Sequence, residues 1–227
     1  MPTTAPPNTT SGNKDEKRRE KRQEEQRGEQ RGEQREEQQL LATAPDPRPG
    51  LRAYLEVKRA ALLAKREAER AGSVTGPNRL RARTTAEERS GVRRIRIRHH
   101  QILSDSPPDF AGYDLGPASP EIQLGVLSSC LTHIFLIQAA DLRIPLDSLE
   151  VEVQADQDPR AGRPGFEQVP IHPHNISYTV HITSPAGKAR IRELHETVER
   201  TCPIYNLLVN PQHITGRVVL TGSPEEI

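Results

Sequence analysis

The chain has 227 residues, of which 33% are hydrophobic and 3% aromatic, with no Trp. Such a composition is not all globular material, and no unbroken apolar run reaches the roughly 18 residues that cross a bilayer, so no membrane span is expected. The net charge of +1 hides an uneven layout: residues 14–40 carry nine basic and nine acidic side chains, residues 52–98 fourteen and five, and residues 99–227 eight and sixteen.

Residues 1–13 are polar and rich in Pro and Thr, without the apolar stretch of a secretory signal. A cytoplasmic, reducing location is the expectation, and there structural disulfides are rare. Residues 14–40 are charged and Gln-rich, with a short repeat around Gly28 and Gly32 and few apolar positions to offset ordering entropy. Residues 1–49 therefore read as a disordered charged tail. Residues 50–78 read as a helix and linker. Leu51 to Ala71 is rich in strong helix formers, Leu51, Tyr54, Leu55, Val57 and Leu62 suggest its apolar face, and Gly72 closes it. The basic stretch suits phosphates, or the acidic half of its own fold or of a second copy. No aromatic side chains interleave its arginines, so nucleic acid is not an expected partner.

A change of period follows. Leu80–Thr84 and 92–98 read as strands around a turn at 87–91, since Ile95 and Ile97 alternate with Arg94, Arg96 and Arg98. Residues 99–105 extend the second strand, and 106–117 form a Pro/Gly loop. Ser119 suits an N-cap and Pro120 the first helical position. The helix to about Leu142 is apolar on most sides and belongs at the centre. Alternation predicts strands around 149–153 and 176–182, and Ser184-Pro185 repeats the helix-start pattern. Ile191, Leu194, Val198 and Cys202 share a face of the helix that follows. Pro203 ends it, and 214–221 reads as a final strand. The order makes an α+β domain over 79–221, with a short tail at 222–227.

Cys130 and Cys202 are the only cysteines. In a reducing compartment they are either free thiols packed in a core or a working redox pair. A reactive cysteine needs its pKa lowered. Cys130 lies too far along its helix for the helix dipole to do so, and burial acts the other way. A cation must come from elsewhere. Arginine suits the role, and Arg89, Arg93, Arg94 and Arg96 are the candidates, with Glu121 able to orient one.

The loop Gly112-Tyr113-Asp114-Leu115-Gly116-Pro117, the helix start Ser119-Pro120-Glu121, Leu127-Ser128-Ser129-Cys130 and Thr197-Val198-Glu199-Arg200-Thr201-Cys202-Pro203 together resemble the OsmC-like superfamily, which includes the organic hydroperoxide resistance proteins. The resemblance runs over about residues 79–220. It implies an intertwined homodimer with antiparallel sheets wrapped around long central helices and active sites at the dimer interface. It implies reduction of organic hydroperoxides, and less efficiently of hydrogen peroxide, without metal or organic cofactor. Carried over, Cys130 is the peroxidatic residue that becomes a sulfenic acid, and Cys202 resolves it to a disulfide that a dithiol reduces. Glu121 matches the acidic residue that holds the activating arginine, which is placed at Arg93 or Arg89.

Other features weigh less. His172 and His174 are spaced as metal ligands sometimes are, but Pro173 intervenes and no further ligand has suitable spacing. His133, one turn after Cys130, reads as a base or as a hydrogen-bonded core histidine, and His195 is similar relative to Cys202. The alternative functional reading is a non-catalytic module of the same fold that holds a small apolar ligand or a protein partner at the dimer interface. A third makes the tail and basic helix a scaffold for an acidic partner.

Overall fold

The computed structural model describes residues 50–73, 76–87 and 90–220. The expected tail at 1–49, Arg89, Thr221 and the terminal segment 222–227 lie outside the described residues.

Helix α1 spans Leu51–Arg70. It closes where Gly72 adopts φ +80°, a conformation glycine tolerates, while the Gly72 and Ser73 N–H groups return to the carbonyls of Glu69 and Ala68. Leu55 is buried and Leu51 and Leu62 are half-buried, but Tyr54 and Val57 face solvent, contrary to the expected face. The buried stripe instead runs through Leu51, Leu55, Arg59, Leu62 and Arg66, the spacing one helix face allows.

A three-stranded antiparallel sheet follows: β1 (Arg83–Ala86), β2 (Arg93–Ile97) and β3 (His100–Ser104), in that order. Leu80 is outside β1 and exposed. Residues 99–105 do not extend β2. Arg98 adopts φ 55° and reverses the chain, so that His100 pairs back against Ile97. No Gly or Asn marks that turn, and the pattern of the sequence runs straight through it.

Helix α2 spans Ser119–Leu142. Its N-cap is Ala118, which places Ser119 and Pro120 one step inside the helix, and Glu121 Oε2 accepts the Ala118 N–H at 2.6 Å in place of a side-chain cap. By length and mean hydropathy, 1.5 over its most apolar window, this helix could cross a membrane. Counting unbroken apolar runs overlooked it, because Gln123, Ser128, Ser129, Thr132 and Gln138 interrupt the run without adding charge. It packs against α1 and against the elements that follow, as the core helix of the fold. Only 22% of that window is buried.

Strands β4 (Ser148–Asp156) and β5 (His174–Thr183) form a two-stranded antiparallel sheet, and β4 lies on α2. Helix α3 (Lys188–Thr201) begins after Gly187, not at Pro185; Ser184 Oγ instead donates to Pro145 O and accepts the Ala186 N–H. Helix α4 (Pro203–Val209) follows at once. The expected strand at 214–221 is absent among the described residues apart from an isolated bridge at Val219. The core gathers Leu127, Leu131, Ile134 and Phe135 of α2 with Leu194, Val198 and Cys202, and with Leu55, Ile144 and Leu146.

Candidate active site

The two cysteines meet. Cys202 Sγ lies 3.5 Å from Cys130 Sγ. Local sequence sets each one. On α2, Leu127, Cys130, Leu131 and Ile134 follow the i, i+3, i+4, i+7 rule of one helix face. Leu194 and Val198 of α3 and Cys202 at its end follow at i, i+4 and i+8, again one face. Cys202 is then the residue between two helices: it caps the end of α3 and the start of α4, with φ −74° and ψ 113°. Pro203 causes that break, because proline disfavours a helical residue before it and suits the first position of a new helix.

Cys202 is fully buried, and Cys130 is half-buried. Burial pushes the Cys130 thiol up, the Ile204 N–H opposes that, and neighbouring Cys202 adds to the rise. Among the described residues no cation acts on it. Cys130 opens into an apolar groove of about 560 Å³ whose wall includes Ile102, Glu121, Ile122, Val126 and His133. Among the described residues that line it there is no arginine. His133 is exposed and held below its ordinary pKa, first by partial burial and then by Lys58 of α1.

The other expected residues lie as follows. Glu121 borders the groove, while its carboxylate caps its own helix. Arg93 donates to Gly91 O, Ser104 Oγ and Asp105 O, and its Nε is buried without a partner. Arg89 lies outside the described residues. His174 Nδ1 faces the His172 carbonyl, and among the described residues no group of three His, Cys, Asp or Glu side chains is arranged to hold a metal ion.

Sequence reasoning missed two side chains at the site's edges. Asp105 is fully buried, and its Oδ2 accepts the N–H groups of Tyr113 and Leu115 at 2.9 and 3.2 Å. It thereby folds the Gly112–Pro117 loop into the start of α2. Burial alone would raise its carboxyl, but the Ser106, Leu115 and Tyr113 N–H groups and the Arg93 charge hold it below its ordinary value. Tyr178 of β5 donates to Glu199 Oε1 at 2.7 Å and lies 2.6 Å from His195 Nε2. In the sequence its alternation with Ile176, Val180 and Ile182 marks it only as a strand residue.

Residues 112–216 match the family model described as OsmC-like protein. No curated protein matches the chain. Among solved structures it is similar to an OsmC-like protein from Mycoplasma pneumoniae at 18% identity and TM-score 0.51, over 59% of this chain and 89% of that one. It is also similar to an organic hydroperoxide resistance protein OsmC from Legionella pneumophila (12% identity, TM-score 0.44, 59% and 91% coverage). A third is an OsmC-like protein from Vibrio cholerae (16% identity, TM-score 0.45, 57% and 93% coverage). Over the matched part of the chain, the fold of mixed helices and antiparallel sheets is similar to that of the Mycoplasma pneumoniae structure. The fold is thus OsmC-like, and residues 112–216 are the part of the chain similar to that family.

Proposed function

We propose that the protein is a two-cysteine peroxidase that reduces organic hydroperoxides, and hydrogen peroxide, in oxidative stress defence in the cytoplasm. The observation that carries this reading is the 3.5 Å separation of two thiols, one of them open to an apolar groove. Cys130 thiolate attacks the distal hydroperoxide oxygen. The O–O bond breaks, the alkoxide takes a proton and leaves as an alcohol, and Cys130 becomes a sulfenic acid. Cys202 attacks that sulfur, the hydroxyl leaves as water with the Cys202 proton, and an S–S bond forms. A dithiol then restores both thiols by exchange.

Cys130 needs a cation, and among the described residues of one chain none acts on it. A second copy supplies it in this reading, through Arg93 or Arg89 oriented by Glu121. Two features support an intertwined homodimer: the thin coverage of α2, and a β1–β3 sheet that pairs with no other described strand. The raised Cys130 thiol equally favours the non-catalytic module, in which the groove only binds an apolar ligand or partner.

The test is turnover of cumene hydroperoxide with dihydrolipoamide by the wild type, Cys130→Ser and Cys202→Ser. The peroxidase reading expects no turnover in Cys130→Ser, and a trapped sulfenic acid or overoxidised Cys130 in Cys202→Ser. An inert wild type whose thiols label slowly at neutral pH would establish the binding-module reading instead.

A further inference from the structure

Tyr178 stands where β5, α3 and α4 converge. Its hydroxyl proton goes to Glu199 Oε1, so its oxygen accepts from His195, which must then carry its proton on Nε2. The phenol ring meets His195 and Tyr205 edge-on, with centroids 5.8 and 6.3 Å apart, and His195 stacks on Phe135 of α2. Glu199 is one turn before Cys202 on α3. On the far side, Asn206 Nδ2 donates to the carbonyls of both Glu199 and Cys202 at 2.8 and 2.9 Å. The turn that bears Cys202 is thus held from the sheet by Tyr178 and from α4 by Asn206.

Such holding has a chemical use. A disulfide needs its sulfurs at about 2.05 Å, and geometry away from the preferred range stores strain. The 3.5 Å gap must therefore close by roughly 1.5 Å, with Cys202 packed in the core and unable to search widely. A phenylalanine at 178 would fill the same space without a half-buried hydroxyl to satisfy. The hydroxyl adds a fixed tether to the Cys202 turn.

We propose that Tyr178, through its hydrogen bond to Glu199, is a positioning residue that holds Cys202 where it closes onto Cys130. The proposal rests on the two thiols forming a disulfide, as in the peroxidase reading, but its test does not depend on hydroperoxide chemistry. Diamide oxidises a dithiol directly: both S–H bonds break, the S–S bond forms, and the diamide N=N bond takes up two hydrogens to become a hydrazine. The full-length reduced protein is mixed with diamide, and the intramolecular disulfide is followed by acid quench and mass spectrometry. Tyr178→Phe and Glu199→Ala are expected to close about tenfold more slowly than wild type, a loss of the size of one hydrogen bond. Glu199→Gln, whose amide oxygen still accepts from the phenol, is expected to close near the wild-type rate. In a Cys202→Ser background, Tyr178→Phe should leave alkylation of Cys130 unchanged. Closure of Tyr178→Phe at the wild-type rate would overturn the proposal, as would a parallel change in Cys130 alkylation, which would mark general loosening. So would failure of the wild type to form the disulfide with diamide. A diamide difference in a protein inert to hydroperoxide would retire the peroxidase reading and leave the positioning role standing.

Discussion

At the residue scale, the loop before α2 is built on close approach. A Cβ on Gly112 would lie 1.8 Å from Ser106 O, and one on Gly116 2.5 Å from Leu103 O, both backbone atoms with no side chain to swing aside. Gly112→Ala is accordingly expected to lose stability by more than the ~1–3 kcal/mol of ordinary overpacking, and Gly116→Ala by less than Gly112→Ala, both read as a lowered Tm by circular dichroism. Asp105 makes a different prediction. Its carboxyl titrates below its ordinary 3.8 in the folded chain, so ionisation favours folding. That contribution is complete above the unfolded value and disappears as pH falls through the folded one. Asp105→Asn is expected to lower Tm at neutral pH while flattening its decline below about pH 4. An acid limb as steep as the wild type's would show that other carboxylates, such as Asp141 and Asp147 beside their arginines, dominate it.

At the element scale, α1 answers where the basic helix goes. Arg52 binds Asp147, Arg59 caps α2 through the Ala140 and Asp141 carbonyls, and Arg66 forks onto Asp141 at 2.7 Å. The helix lies against the acidic part of its own chain, one of the options its charge allowed. Its hold is chiefly apolar, because the ion pairs are substantially solvent-exposed and such pairs contribute little. Leu55→Ala is expected to cost about 2–5 kcal/mol in urea unfolding, and clearly more than Arg52→Ala. Equal effects would assign the docking to charge. These elements also show what the sequence could convey. Helix α3 and the β4 and β5 strands follow their apolar periods, and α2 its apolar composition. The β2–β3 reversal does not, because it rests on an arginine in a left-handed turn. The segment 214–221 has strand-like residues, yet a strand exists only with a neighbouring edge to pair with. At the site, the helix face of Cys202 was legible from spacing and the apolar helix of Cys130 from composition, whereas their meeting across 72 residues depends on how α2 and α3 pack.

At the scale of the whole molecule, the apolar surface is not closed. Ile97 and Ile102 of the first sheet and Val126 of α2 are each about two-fifths exposed, and Ile102 and Val126 border the Cys130 groove. A second copy seated there would bury apolar area and bring a guanidinium to a thiol that burial and Cys202 push up. If each site is shared between copies, Arg93→Ala and Cys130→Ser chains should both be inactive alone and complement each other when mixed. In a heterodimer one site then holds an intact Cys130 with the other chain's intact Arg93, and the second site has neither. With random assembly half the dimers are mixed, and the mixture should recover about a quarter of wild-type turnover after subunits exchange. Sedimentation should show both variants at twice the chain mass, so that a missing recovery cannot be blamed on failed assembly. Recovery would place the activating arginine across the interface. No recovery from dimeric variants that are each inactive would mean that Arg93 serves the cysteine of its own chain. An active Arg93→Ala would remove Arg93 from the mechanism and leave Arg89 as the residue to change next.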